Sequence, residues 1–198
     1  MRTGLVVGSG GNLSAREPGT GHCWVTGAGS WLDRLRRTDF VRVRIADGEP
    51  VDRAESAPSS ELAVHVHTYR ARPDVNAVLH LHPQSVMLLD ALGERIRLVT
   101  TDHAFYLRPV VRVGFHPPGS VALARAVAAA VAGGANCLIL AHHGCSVLAG
   151  TVGLAHQRVR NLEEAAQLTY RALALGRPDI PECPPVPGGR CQPGAYVR

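Results

Sequence analysis

At 198 residues, 45% hydrophobic and 19% charged, the chain has the size and composition of one globular domain with a substantial core. Its net charge of +5 comes from scattered arginines rather than a dense basic run with interleaved aromatics, which argues against nucleic acid and suits a small anionic substrate. No apolar run reaches the length of a membrane span, the start MRTGLVVGSGGN lacks a signal-peptide pattern (making the cytoplasm the default compartment), and five cysteines without CxxC spacing argue against a disulfide framework.

Residues 8–16 (GSGGNLSAR) read as a glycine-rich loop able to bring backbone N–H groups close to an anion, though they form neither a Walker loop nor a dinucleotide fingerprint. A short strand over 23–26 (CWVT) leads into a second glycine turn at 27–29, and two such turns together suggest a phosphate cradle. Residues 40–46 (FVRVRIA) alternate as a half-buried strand, and Asp47-Gly48 turns the chain. Ser59 and Ser60 then stand at the start of a helix, where hydroxyls and free N–H groups cap the helix or bind an anion, and Glu61 in its first turn favours the helix dipole.

That helix ends before Pro73, and residues 75–82 (VNAVLHLH) have the β-branched and apolar content of a buried strand. Side chains two apart on a strand share a face, so His80 and His82 can offer two imidazoles to one metal ion. His65 and His67 also read HxH, but on a helix their rings diverge by about 200°, which argues against a ligand pair. Residues 83–92 read as a helix ending at Gly93, 95–101 as a strand, and 102–118 as irregular. An alanine- and valine-rich helix follows over 121–132. The apolar run 137–141 reads as a buried strand that delivers His142 or His143, or both, to its end, with Gly144 as the break. Cys137 and Cys145 look like small core residues. A long amphipathic helix over 151–175, with Leu154, Val159, Leu162, Ala166 and Leu173 on its apolar face, is stopped by Gly176 and Pro178. The domain thus spans 1–177, and 178–198, with six prolines, reads as a tail or an arm lying on a neighbour. Strands and helices alternating with hairpin-like turns predict an α/β sandwich with a mixed or antiparallel sheet. A strand-borne HxH joined by a second histidine-bearing strand end predicts a metal site.

Taken together, GNLSAR at 11–16, VTGAG at 25–29, PSSE at 58–61, RPDVNAVLHLH at 72–82 and HHG at 142–144 resemble the class II aldolase/adducin family. These pieces stand in the family's order and at similar spacing, and the resemblance covers residues 4–175. It implies a three-layer α/β/α sandwich around a mostly antiparallel sheet, and a four-fold symmetric homotetramer with active sites between subunits. It implies one Zn²⁺ per chain on His80, His82 and His143, with Glu61 as the acid/base beside it. Asn12, Gly29, Ser59 and Ser60 match positions that hold a substrate phosphate. Asp102, His103 and Tyr106 are candidates for a second acid/base that reaches a neighbouring subunit; the family's tyrosine does not align cleanly with any of them.

Three imidazoles leave zinc cationic and open, as a catalytic site requires, so that it could act as a Lewis acid in retro-aldol cleavage while Glu61 shuttles a proton. The implied activity is cleavage of an L-fuculose-1-phosphate-like ketose phosphate to dihydroxyacetone phosphate and an aldehyde. On the same scaffold the alternatives are a sugar-phosphate 4-epimerase, a methylthioribulose-1-phosphate-type dehydratase, and a non-catalytic adducin-like interaction module. Three departures from the family pattern stand out. A helix expected before the glycine-rich loop is missing, so either the start is truncated or misassigned or the fold lacks a covering helix. Ala28 replaces a hydroxyl residue usual in sugar-phosphate aldolases, and the proline-rich tail has no counterpart.

Overall fold

Residues 4–185 are described by a computed structural model. The strands are β1 (Asn12–Glu17), β2 (His22–Thr26), β3 (Phe40–Arg44), β4 (Ala77–Leu81), β5 (Val110–Val113), β6 (Cys137–Leu140) and β7 (Gly144–Ala149). They form one sheet in the order β3-β2-β1-β4-β7-β6-β5, in which only β5 and β6 run parallel. Helices α1 (Leu62–Ala71) and α4 (Val121–Ala132) pack on one face over Cys23, Val25, Val78, Leu138 and Leu148. Helices α2 (Gln84–Ala91), α3 (Thr101–Leu107) and α5 (Val152–Ala174) cover the other, over Ala77, Leu79, Leu81 and Val147. The expected α/β/α sandwich around a mostly antiparallel sheet is the observed one. Among the described residues no helix is long and apolar enough to cross a membrane.

β4 lies at the centre of the sheet and all five of its residues are buried, as an apolar run interrupted only by His80 predicts. The chain then turns at Pro83 into α2, whose first free N–H groups need acceptors. Glu163 of α5, only 4% exposed, supplies them: its carboxylate accepts from Ser85 N at 3.1–3.2 Å and Val86 N at 3.2 Å. An anion at a helix N-terminus is favoured by the aligned peptide dipoles, and here it also fixes the path of the chain as it leaves His82.

Four expectations need correction. Residues 95–101 form no strand although Ile96 and Leu98 are buried. Their alternation reports one buried face, but Arg97 N donates to Thr169 Oγ1 and Leu98 O accepts from Cys183 N, so no sheet neighbour is available. The irregular reading of 102–118 gives way to α3, capped by Thr100 Oγ1 accepting from His103 N at 3.1 Å, and to the short edge strand β5. Gly144 does not end a strand; it opens β7. The loop read over 8–16 becomes strand β1 from Asn12 onward.

Of the expected tail, residues 178–185 are described, and they fold back on the same chain. Glu182 pairs with Arg95 at 2.6 Å and Cys183 O accepts from Arg108 at 3.1 Å. Residues 186–198 lie outside the described residues.

Replacing Glu163 by Ala strips three charge-assisted hydrogen bonds from the start of α2 and is expected to cost about 2 kcal/mol. Thermal unfolding checks this, as a fall in Tm of about 4–8 °C for a domain of this size.

Candidate metal centre and anion cleft

The register of β4 decides what meets at the end of the sheet. His80 pairs with Asn12 of β1 on one side and with Ser146 of β7 on the other, while Leu81 pairs with Cys145. The β6–β7 turn therefore lands beside His82 and carries His143 with it. Two glycines permit this approach. At Gly144 a Cβ would sit 2.6 Å from His82 Cδ2. Gly11 has φ +81°, and a Cβ there would sit 2.7 Å from the carbonyl oxygen of His80.

Glu61, His80, His82 and His143 converge so that one ligand atom from each lies within 4.8 Å of all the others. Cys145 O, which can only accept, lies 3.0 Å from His80 Nδ1, so that nitrogen carries the proton and Nε2 of a neutral ring is a bare lone pair. That Nε2 stands 2.7 Å from Glu61 Oε2 and 3.1 Å from His82 Nε2. Acceptors this close require a proton or a metal cation among them. Glu61 Oε1 lies 3.4 Å from His143 Nε2 and, like His143 Nδ1, is buried without a hydrogen-bond partner among the described residues. Three imidazoles and one carboxylate are a donor set that fits a divalent cation such as zinc.

Electrostatics agree with this fit. Burial raises the Glu61 carboxyl, but positive charge shared at the His80 and His143 side of the cluster, together with the Asn12 hydrogen bond, outweighs it and holds it at about 2. Burial, then the neighbouring His80 and His143 charges, push His82 down to about 4, and His143 is lowered by burial and His80. Glu61 is therefore ionised at neutral pH, and His82 and His143 are neutral with lone pairs to give.

Above this cluster opens a cleft of about 260 Å³. Gly29, Ser30, Ser59 and Ser60 form part of its wall, with Glu61, His82 and His143 at the base. The backbone N–H groups of Gly29 and Ser60 have no acceptor among the described residues. Ser59 Oγ accepts from Glu61 N at 3.2 Å, which leaves its own proton free to donate. Asn12 lines the same cleft, but its side chain is engaged at both ends, Nδ2 on Glu61 Oε2 at 3.3 Å and Oδ1 on His65 Nε2 at 2.5 Å.

Asp102, His103 and Tyr106 do not line the cleft. They belong to α3, which packs against α5, and His103 is fully buried 3.5 Å from Glu164. His65 and His67 diverge along α1 as expected, and neither joins the cluster. Sequence reasoning missed Asp90. His142 is the one non-glycine described residue with positive φ, at 55°, a conformation an L-residue adopts only when held there. Buried Asp90 holds it: Oδ2 accepts from His142 N and Oδ1 from Arg112 Nε, both at 2.7 Å. An aspartate inside an apolar helical run (MLLDAL) was the available signal.

His82→Ala is expected to keep the fold and lose stoichiometric zinc. Gly144→Ala, which drives a methyl against the His82 ring, is expected to weaken zinc binding by about tenfold or more. Equilibrium dialysis with atomic absorption checks both, and wild-type stoichiometry in His82→Ala would remove that residue from the donor set.

A family model described as "Class II Aldolase and Adducin N-terminal domain" matches residues 1–170. L-fuculose phosphate aldolase of Methanococcus maripaludis strain C5 is 32% identical over 171 residues, covering 86% of this chain and 90% of that protein. The 5-methylthioribulose-1-phosphate/5-deoxyribulose-1-phosphate aldolase of Rhodospirillum rubrum is 34% identical over 178 residues, covering 89% and 78%. Among solved structures, L-fuculose-1-phosphate aldolase from Thermus thermophilus superposes with a TM-score of 0.74 at 27% identity, covering 88% of this chain and 90% of that one. With that coverage, and with the motif residues gathered at one end of the sheet, the chain belongs to the class II aldolase/adducin family.

Proposed function

We propose that this protein is a zinc-dependent aldolase that cleaves a small ketose 1-phosphate to dihydroxyacetone phosphate and an aldehyde. The observation that carries this reading is the convergence of three imidazole nitrogens and an ionised Glu61 at the base of a cleft walled by free N–H and hydroxyl donors. An interaction module would have no physical need for that combination. The names of the L-fuculose phosphate and 5-deoxyribulose 1-phosphate aldolases to which the chain is similar support the same substrate class.

His80, His82 and His143 would hold the cation, which supplies Lewis-acid polarisation to the carbonyl and hydroxyl oxygens of a chelating substrate. Free N–H groups of Gly29 and Ser60, with the Ser59 and Ser60 hydroxyls, present only donors to the dianionic phosphate and fix the substrate's direction in the cleft. Ala28 contributes no hydroxyl there, so recognition rests more on the backbone. Glu61, ionised in the resting site, is placed to receive the proton released from the substrate hydroxyl that becomes the aldehyde, to pass it to the carbon that has lost its bond, and to take it back in the synthetic direction. A second acid/base serves the aldehyde oxygen. Asp102 and Tyr106, away from the cleft of their own chain, fill that role only by reaching the cleft of a neighbouring copy, which fits a cytoplasmic homotetramer with sites between subunits.

Zinc-loaded protein should release dihydroxyacetone phosphate from at least one of L-fuculose 1-phosphate, 5-deoxyribulose 1-phosphate and 5-methylthioribulose 1-phosphate, in a coupled assay with glycerol-phosphate dehydrogenase. Glu61→Gln should retain the metal and lose kcat by about 100-fold or more. Loss of water without release of dihydroxyacetone phosphate would move the assignment to the dehydratase. Interconversion of epimers would move it to the epimerase.

A further inference from the structure

Glu61 stands at one end of a buried hydrogen-bond chain that runs away from the cleft and into the core beneath α1. Its members are Asn12 and Ser14 on β1 and His65 and Tyr69 on α1, none of them more than 6% exposed. Helical spacing sets His65 aside as a metal ligand, and a fully buried histidine in a helix needs another explanation.

The polarity of the chain follows from its Glu61 end. An ionised carboxylate only accepts, so the Asn12 atom 3.3 Å from Oε2 is the amide nitrogen. The amide oxygen then faces His65 Nε2 at 2.5 Å, and that nitrogen must carry the ring proton. His65 Nδ1 is left to accept, from the Ser14 hydroxyl at 2.7 Å, and Ser14 Oγ accepts in turn from the Tyr69 hydroxyl at 2.8 Å. Every donor meets one acceptor in this order. In the reverse order, two oxygen acceptors would face each other at Glu61, at a cost of several kcal/mol for a buried charged group.

At the carboxylate the result is asymmetric. Oε2 accepts from Asn12 Nδ2 at 3.3 Å and lies 2.7 Å from the His80 Nε2 lone pair, across the place a shared proton or cation would take, while Oε1, 3.4 Å from His143 Nε2, has no hydrogen-bond partner among the described residues. We propose that His65 is a positioning residue: locked as the Nε2–H tautomer by Ser14 and Tyr69, it fixes the Asn12 amide, which grips Glu61 Oε2 and leaves Oε1 as the oxygen that exchanges the substrate proton. The inference rests on the reading of Glu61 as the proton shuttle. It also gives Asn12 a role in orienting Glu61, in place of a side-chain contact to phosphate.

Two measurements test it. Long-range ¹H–¹⁵N correlation on ¹⁵N-histidine-labelled protein should show His65, assigned by its loss in His65→Gln, with a slowly exchanging Nε2 proton and an unprotonated Nδ1. The opposite tautomer overturns the proposal whatever the enzyme does. His65→Phe, which keeps the volume and removes the donor, should bind zinc normally with KM within about twofold of wild type, and lose kcat by about 10- to 100-fold. His65→Gln, whose amide nitrogen can replace Nε2–H, should recover kcat to within about fivefold of wild type. A purely structural His65 would lower Tm in both variants and leave kcat per folded molecule unchanged, which overturns the proposal. If His65→Phe fails to fold, Ser14→Ala decides, by a several-fold fall in kcat at constant KM and zinc content or by no fall at all. Wild-type protein that cleaves no ketose phosphate would sink the aldolase reading, while the tautomer measurement would still settle the hydrogen-bond chain.

Discussion

The site depends on the register of one strand. β4 is central, pairs antiparallel on both sides, and carries His80 near its C-terminal end, with His82 as the first residue after it. A slip of one residue against β1 or β7 would turn both rings to the opposite side of the sheet. A slip against β7 would also part the Gly144 turn from His82. The buried run of β4 therefore does more than fill a core: the packing that fixes its faces also fixes the candidate metal donors. Glu163 at the head of α2 extends that constraint past His82, because the chain leaves the strand only where its next N–H groups find an acceptor.

Electrostatics then couple the members of the cluster to one another. Burying a carboxylate is costly, and burial alone would raise Glu61. Positive charge among the imidazoles and the Asn12 amide reverse that, but His82 and His143 are disfavoured as cations by their own burial and by the other rings. The arrangement is balanced when one cation sits among neutral rings and an ionised glutamate. Around it, polar side chains are consumed by short, directed bonds: His80 on Cys145 O, His65 between Asn12 and Ser14, Asp90 on the β6–β7 turn. These contacts orient donors that would otherwise rotate, and rotation is what the acid/base role proposed for Glu61 can least tolerate.

Much of this is legible in the sequence because it is local. HLH on an apolar run fixes both a strand and a shared face, and HHG after CLIL places a histidine at a strand end. SSE before a helical run puts hydroxyls and an acid at a helix start. What cannot be read depends on pairings set elsewhere in the chain. β7 is hidden because Gly144, usually a breaker, is needed for close approach to His82. β5 is only four residues long and lies at the sheet edge. The segment 95–101 alternates like a strand but spends its backbone groups on Thr169 and Cys183. His65 lies outside the donor cluster, as its helical spacing predicts, yet its partners sit about fifty residues away on β1, and no local pattern reports them.

The central claim is that one cation joins His80 and His82, at the end of β4, to His143 of the β6–β7 turn through their Nε2 atoms. Crystals grown with zinc, with diffraction recorded on both sides of the zinc absorption edge, test it directly. A single strong anomalous peak is predicted within bonding distance of Nε2 of His80, His82 and His143. A peak that omits any of the three, or one that lies outside the cleft, would contradict it.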